Sequence, residues 1–138
     1  DTQRGKVALL HGGYQSWTSP MFLLDTTTGT WTTQALQASA AKTELDALTT
    51  ALGMVYVPQE DAYYVRGRAA GGAVYRIDAA TFSVTKPAFT GGSSIPQTTD
   101  HGASYYDEVH NRFLFVPSLG GIVYFSVYTA NAQFLRLF

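Results

Sequence analysis

Apolar and polar residues alternate in short runs along this chain, and turn-forming residues separate one run from the next. The run FLLDTTTGTW at residues 22–31 has a counterpart, VYRIDAATFSV, at residues 74–84. In both copies an alternating apolar run reaches an Asp, passes through a Thr-containing turn and enters a second run. Period-two alternation interrupted by such a turn predicts a β-hairpin in each copy.

A longer repeat contains these hairpins. Residues 53–84 align with residues 102–134. A shift of 49 matches Gly53 with Gly102, Tyr56 with Tyr105, the diglycine at 71–72 with that at 120–121, and Tyr75 with Tyr124. Residues 7–31 form an earlier partial copy, in which Asp25 corresponds to Asp78 at a shift of 53. Repetition at this period indicates a fold built from one recurring supersecondary unit.

Each full copy divides into four short strands separated by turn-forming residues. The predicted strands are 53–57, 62–66, 73–77 and 83–88 in the middle copy, and 103–106, 112–116, 122–127 and 133–137 in the last. They are rich in Val, Tyr, Phe and Ile, which favour a packed pleated sheet. The first copy supplies only strands two to four, because residues 1–6 are too few and too polar for a first strand.

Residues 39–52, SAAKTELDALTTAL, do not fit the strand pattern and leave two alternatives open. Leu45, Leu48 and Leu52 recur at spacings of three and four and Ser39 is a suitable N-cap, so a short helix is one prediction. The other is a long loop between two copies of the repeat.

The first copy resembles a kelch-type β-propeller repeat. In LLHGGYQSWTSPMFLLDTTTGTW the pattern's marked positions are held by Gly12, Gly13, Asp25, Gly29 and Trp31. In the later copies the diglycine precedes the third strand and Val84 and Phe134 replace the Trp, but the last copy is similar to strand pairs of exported bacterial kelch-like and galactose-oxidase-like propellers. The resemblance implies an all-β fold: residues 1–138 as one partial β-propeller domain of about three four-stranded antiparallel blades, at about 1–36, 50–90 and 100–138, with 37–52 between them.

Three blades do not close a ring, since propellers have four to eight. We therefore expect a bare sheet face at each end of the arc, an incomplete first blade, and a partner that covers the bare surfaces. That partner is either the remaining blades of a longer propeller or the chain itself, which could form a closed ring or an open polymer. Phe113 and Tyr124 are the sheet-face residues that we expect at such contacts.

Composition removes several classes of function. The net charge is −1 and only 14% of residues are charged, so the chain lacks the basic surface that nucleic acid requires. No apolar run approaches the roughly 20 residues of a membrane span. Cysteine is absent, which excludes the cysteine-linked tyrosine of the copper site that the galactose-oxidase resemblance would imply. We predict no cofactor and no catalytic residue set, and the low charge with abundant Thr, Ser, Gly and Tyr is typical of a secreted, extracellular or periplasmic protein.

The histidines do not predict a metal site. His11, His101 and His110 fall one to a loop, at spacings unsuited to a shared helix or hairpin face. His110 lies in DEVHNRF, which predicts a tight turn with Asp107 and Asn111 contacting the backbone.

Binding through loops is the alternative to assembly. Aromatic faces with a few hydrogen-bond donors suit a sugar ring or a peptide, and the loops expected on one face carry Tyr14, Trp17, Arg66, Arg68, Asp100 and His101. Tyr14 and Trp17 could equally cover a bare flank, and Asp100 with His101 could form a hydrogen bond at a strand entry. The sequence thus predicts a non-catalytic interaction module that assembles through exposed faces and edges, or else a carbohydrate-binding or carbohydrate-active domain.

Overall fold

Three antiparallel sheets make up the fold. The computed structural model describes residues 1–10, 20–48, 53–66, 73–89, 102–117, 121–126 and 131–136. In each sheet consecutive strands are hydrogen-bonded neighbours, so every sheet is a simple meander, and no sheet closes on itself within these ranges. The prediction of an all-β chain is confirmed.

The strand bounds are as follows. Sheet 1 contains β1 (Lys6–Leu10), β2 (Pro20–Asp25) and β3 (Trp31–Ala35). Sheet 2 contains β4 (Gly53–Val57), β5 (Ala62–Arg66), β6 (Val74–Asp78) and β7 (Val84–Thr85). Sheet 3 contains β8 (Gly102–Asp107), β9 (Arg112–Pro117), β10 (Gly121–Ser126) and β11 (Asn131–Arg136). As predicted, sheet 1 has three strands in the described residues where the others have four.

The repeated hairpins of sheets 1 and 2 share one turn. Asp25 Oδ1 accepts hydrogen bonds from the backbone N–H groups of the second and third residues after it, at 2.9 Å each, and Asp78 Oδ1 does the same at 3.1 and 2.9 Å. The fourth residue after each Asp is left-handed, with φ of 70° at Gly29 and 59° at Phe82. A carboxylate that satisfies two turn N–H groups explains why Asp marks this position in both copies.

Another residue with left-handed backbone conformation recurs just before the second strand of the repeat. Gly5, Asp61 and Asn111 have φ of 60°, 45° and 48°, and each directly precedes a strand, namely β1, β5 and β9. The carbonyl of Gly5 accepts from Thr26 N–H and that of Asp61 from Ala79 N–H, both at 3.0 Å. Strand β1 is therefore the counterpart of β5 and β9, so among the described residues sheet 1 has no counterpart of the first strand of the repeat.

This turn corrects the alignment of sheets 2 and 3 by one residue. The hydroxyl of Tyr56 donates to Asp61 Oδ1 and that of Tyr106 donates to Asn111 Oδ1, both at 2.8 Å. Tyr56 therefore corresponds to Tyr106 at a shift of 50, and not to Tyr105. Successive strand residues point to opposite faces, so a slip of one moves a side chain across the sheet; Tyr105 is 58% exposed.

Sheet 2 is buried on both faces. Its front face, defined by Tyr63, Val65, Tyr75 and Ile77, packs against Met21, Ala8, Leu10 and Leu23 of sheet 1. Its back face, defined by Ala62, Tyr64 and Val74, packs against Phe113 and Tyr106 of sheet 3. The five residues of β5 are all buried, as expected for a strand inside a stack of sheets.

A short helix, α1 (Ala40–Asp46), settles the alternatives for residues 39–48. Ser39 Oγ accepts from Lys42 N–H at 3.0 Å as the N-cap and donates to the carbonyl of Val84, also at 3.0 Å. Leu45 and Leu48 are buried in the core between sheets 1 and 2. The helix thereby covers the outer strand of sheet 2 on its front side. Residues 49–52 lie outside the described ranges.

Candidate assembly surface

Most of the loop residues predicted to bind a ligand lie outside the described ranges: Tyr14, Trp17, Arg68, Asp100 and His101. Arg66 is described, as the last residue of β5, where it pairs with Gly53 on one side and Val74 on the other. It is 5% exposed, and this burial lowers the pKa of its guanidinium. A side chain so enclosed offers little surface to a sugar or peptide in solution.

The front face of sheet 1 is apolar and open. The ladder places Val7 opposite Leu24 and Leu24 opposite Trp31, and in the next row places Leu9 opposite Phe22. These residues lie on one face, because directly opposed residues of an antiparallel pair share a face. Val7 and Leu9 are each 50% exposed and Trp31 is 52% exposed.

The repeat shows what covers this face elsewhere in the fold. At the shift of 56 that superposes Gly5 on Asp61, Val7 corresponds to Tyr63 and Leu9 to Val65. At the hairpin shift of 53, Phe22, Leu24 and Trp31 correspond to Tyr75, Ile77 and Val84. All five counterparts are buried on the front face of sheet 2, beneath the back face of sheet 1 and the α1 region.

The opposite end of the stack presents a back face. Tyr105 is opposite Leu114, on the face away from Phe113 and Tyr106, and corresponds at a shift of 50 to Val55 of sheet 2. Val55 packs in the core between sheets 2 and 3, whereas Tyr105 is more than half exposed. The stack of described sheets thus begins with an open front face and ends with an exposed back-face tyrosine.

A polar network links the residues before sheet 1 to sheet 2. Arg4 makes a two-pronged ion pair with Asp61, at 2.6 and 2.7 Å, and a third contact with Asp1 Oδ2 at 3.2 Å. The hydroxyl of Tyr63 donates to the same Asp1 oxygen at 2.7 Å. The hydrogen bond from Arg4 lowers the pKa of Asp61 to about 2, and burial raises the pKa of Tyr63 to about 12. The ion pair and the hydrogen bonds link the two sheets, and both shifts move the pKa of their group away from neutral pH.

Phe113 has a different role from the one expected. It is fully buried between sheets 2 and 3, with its ring centroid 6.4 Å from that of Tyr64. Phe113 therefore packs between two sheets of this chain and is not exposed to an outside partner. The side chain of Tyr124 is not among those that the structure describes. The exposed apolar residues that the sequence analysis did not single out are Val7 and Leu9, for which the alternating pattern KVALL opposite MFLLD was the available signal.

The turn around His110 is built as expected for a structural role. Asp107 Oδ1 accepts from the backbone N–H groups of Val109 and His110 at 3.1 and 3.2 Å, and Asp107 Oδ2 lies 2.8 Å from His110 Nδ1. Asn111 uses its side chain on Tyr106 and not on the turn backbone. Among the described residues, no three His, Asp or Glu side chains converge in a metal-binding group.

A scan of protein-family models finds no match to the chain, and a search of curated proteins also finds none. Among the helices of the described ranges, none has the length and apolar character to cross a membrane.

Proposed function

We propose that this chain is a non-catalytic, secreted interaction module made of three propeller-type blades, which associates head to tail through the front face of sheet 1. The observation that carries the proposal is the equivalence of that face with the front face of sheet 2. The same repeat positions are buried by a neighbouring sheet in one case and half exposed in the other.

The geometry supports a heterologous contact. Sheets 1, 2 and 3 stack with one polarity, front to back, so the open front face is complementary to a back face and not to another front face. A second copy supplies such a face at its sheet 3, where Tyr105 is exposed. Contacts of this kind close into a ring or continue as an open chain, and the kelch-type resemblance of the repeat favours the ring.

Burial of the open face would favour association, against the cost of immobilising two chains. Completing the burial of Val7, Leu9 and Trp31, each about half exposed, contributes about 1 kcal/mol per side chain. The partly buried Phe22 and Leu24 lie in the same rows of the sheet. Together the five side chains form an apolar patch that resembles the centre of a protein interface.

Val7→Glu tests the proposal, with Val109→Glu as the matched control. Val109 is 87% exposed in a turn of sheet 3, so the control adds the same charge without touching the face. We expect sedimentation of the wild-type chain at about 10 to 300 μM to give a mass that rises above 15.0 kDa. Val7→Glu should sediment as a monomer and Val109→Glu as the wild type.

Far-UV circular dichroism and urea unfolding of both variants establish that the chains are folded. A wild-type chain that stays at 15.0 kDa over the whole concentration range would contradict self-association. Equal self-association by all three chains would show that association uses a different surface.

A further inference from the structure

Strand β1 has a neighbour on one side only among the described residues. It pairs with β2, whereas its counterpart β5 pairs with β4 on one side and β6 on the other. Strand β9 is likewise paired on both sides, with β8 and β10. An exposed strand edge is a template for pairing with another extended segment.

The direction of the backbone groups identifies which residues face the open edge. The carbonyl of Gly5 bonds across to Thr26 in the hairpin with β2, so by strand alternation Lys6, Ala8 and Leu10 direct their backbone groups away from β2. Their counterparts in β5 are Ala62, Tyr64 and Arg66, which lie opposite Val57, Val55 and Gly53 of β4.

Asp1 already occupies the ladder position opposite Lys6 on the open edge of β1. The backbone N–H of Lys6 donates to the carbonyl of Asp1 at 3.0 Å, and the amino group of Asp1 donates to the carbonyl of Lys6 at 2.9 Å. This mutual pair has the form of an antiparallel ladder pair, and it puts Asp1 where Val57 stands in sheet 2. The ladder positions opposite Ala8 and Leu10 follow directly from it.

A cleft lies where the rest of that strand would run. It has a volume of about 240 Å³ and is lined by Lys6, Val7 and Ala8 of β1 and by Met54, Val55 and Tyr56 of β4. On the other side of sheet 2, the first strand of the next sheet, β8, packs directly against β4. The cleft is therefore the corresponding position for a first strand of sheet 1.

We propose that the open edge of β1 is an acceptor site for an extended peptide segment of small–apolar–apolar–aromatic chemistry, which runs antiparallel to β1 and ends at the place held by Asp1. Residues Gly53, Met54, Val55 and Tyr56 are the internal example of this chemistry. In the same register the small residue lies opposite Leu10, the two apolar residues opposite Leu9 and Ala8, and the aromatic residue opposite Val7. The inference rests on the proposed repeat architecture, but it concerns an edge and not the assembling face.

The test adds the segment Gly-Met-Val-Tyr ahead of Asp1, with Gly-Met-Pro-Tyr as the matched control. Attachment gives the segment a high effective concentration at the edge. Proline at the third position lies opposite Ala8, where it removes a donor of the ladder and disfavours the strand. Amide hydrogen exchange is measured by NMR for Ala8 and Leu10, with Tyr64 of β5 as an internal reference.

We expect the Val-containing extension to slow exchange at Ala8 at least about fivefold, corresponding to one net hydrogen bond, with a smaller effect at Leu10 and none at Tyr64. The Pro-containing extension should lose most of this protection. Equal protection by the two extensions, no protection by either, or slow exchange at Ala8 already in the unextended chain would overturn the proposal. Sedimentation reports the face and amide exchange reports the edge, so failure of either proposal is visible separately.

Discussion

Two Val→Ala substitutions, one in the core between sheets 1 and 2 and one on the open face of sheet 1, compare the free energy contributed by a covered and an uncovered front face. Val65 is completely buried in β5, one residue from its end, and Val7 is half exposed in β1, one residue from its start. Val→Ala removes two methyl groups at either site. The β-propensity scale spans only about 1 kcal/mol and depends on whether a strand lies at an edge, as β1 does among the described residues, or inside a sheet, as β5 does. The larger part of the difference in the free energy of unfolding therefore measures burial.

At Val65 the two methyl groups account for about 1.6 kcal/mol of transfer free energy, and the cavity left in a packed core raises the total to about 2–3 kcal/mol. Val7 is half exposed in the folded chain, so its methyl groups contribute only about half of that transfer free energy, and their removal leaves no closed cavity. We therefore expect Val7→Ala to lower the free energy of unfolding by about 0.8 kcal/mol or less.

Urea unfolding followed by far-UV circular dichroism measures both values. The protein concentration must lie below the onset of association, because burial of Val7 in an interface would raise its cost. If Val65→Ala and Val7→Ala differ by less than about 0.5 kcal/mol, the conclusion that the front face is covered in sheet 2 and open in sheet 1 is wrong.

Three further predictions concern turns, caps and charge. Ser39→Ala should cost about 1 kcal/mol of unfolding free energy in urea, since it removes the N-cap, and Ser39→Asp should restore part of it. Gly29→Ala should cost about 1–2 kcal/mol because φ is 70°, although no atom lies within 4 Å of the added Cβ, and Gly29→Asn should cost less. The pKa of Asp61, about 2, lies below its unfolded value, so stability should fall as pH drops from about 4 to 2. Arg4→Gln and Asp61→Asn should each flatten that fall, and a slope unchanged in both variants would contradict it.

The sequence predicts the strands of sheet 2 best where turns bound them sharply. The limits of β4 and β5 match the prediction, because a PQED turn separates two alternating runs. Strand β7 is much shorter than predicted, two residues in place of 83–88. The predicted range runs through Pro87, which has no backbone N–H to donate to a ladder, and the strand ends two residues before it.

The open front face of sheet 1 could be predicted only in part. An arc of repeated sheets implies bare ends, but which strand face points outward depends on a register that shifts by a single residue. That register is set by three residues with left-handed backbone conformation, Gly5, Asp61 and Asn111. Because they are three different residue types, no sequence motif identifies them as equivalent. Arg66, which was predicted on a binding loop, is the last residue of β5 and is buried.

Burial of sheet 2 on both faces gives the chain a gradient of stability. In a linear array each repeat depends on its own folding and on its nearest neighbours, and only sheet 2 has two neighbours among the described sheets. Opening should therefore begin by fraying at sheets 1 and 3 and reach β5 last. A partner that docks on the front face of sheet 1 would convert that end from a terminal repeat into an internal one, and so would stabilise the chain well beyond the residues that it touches.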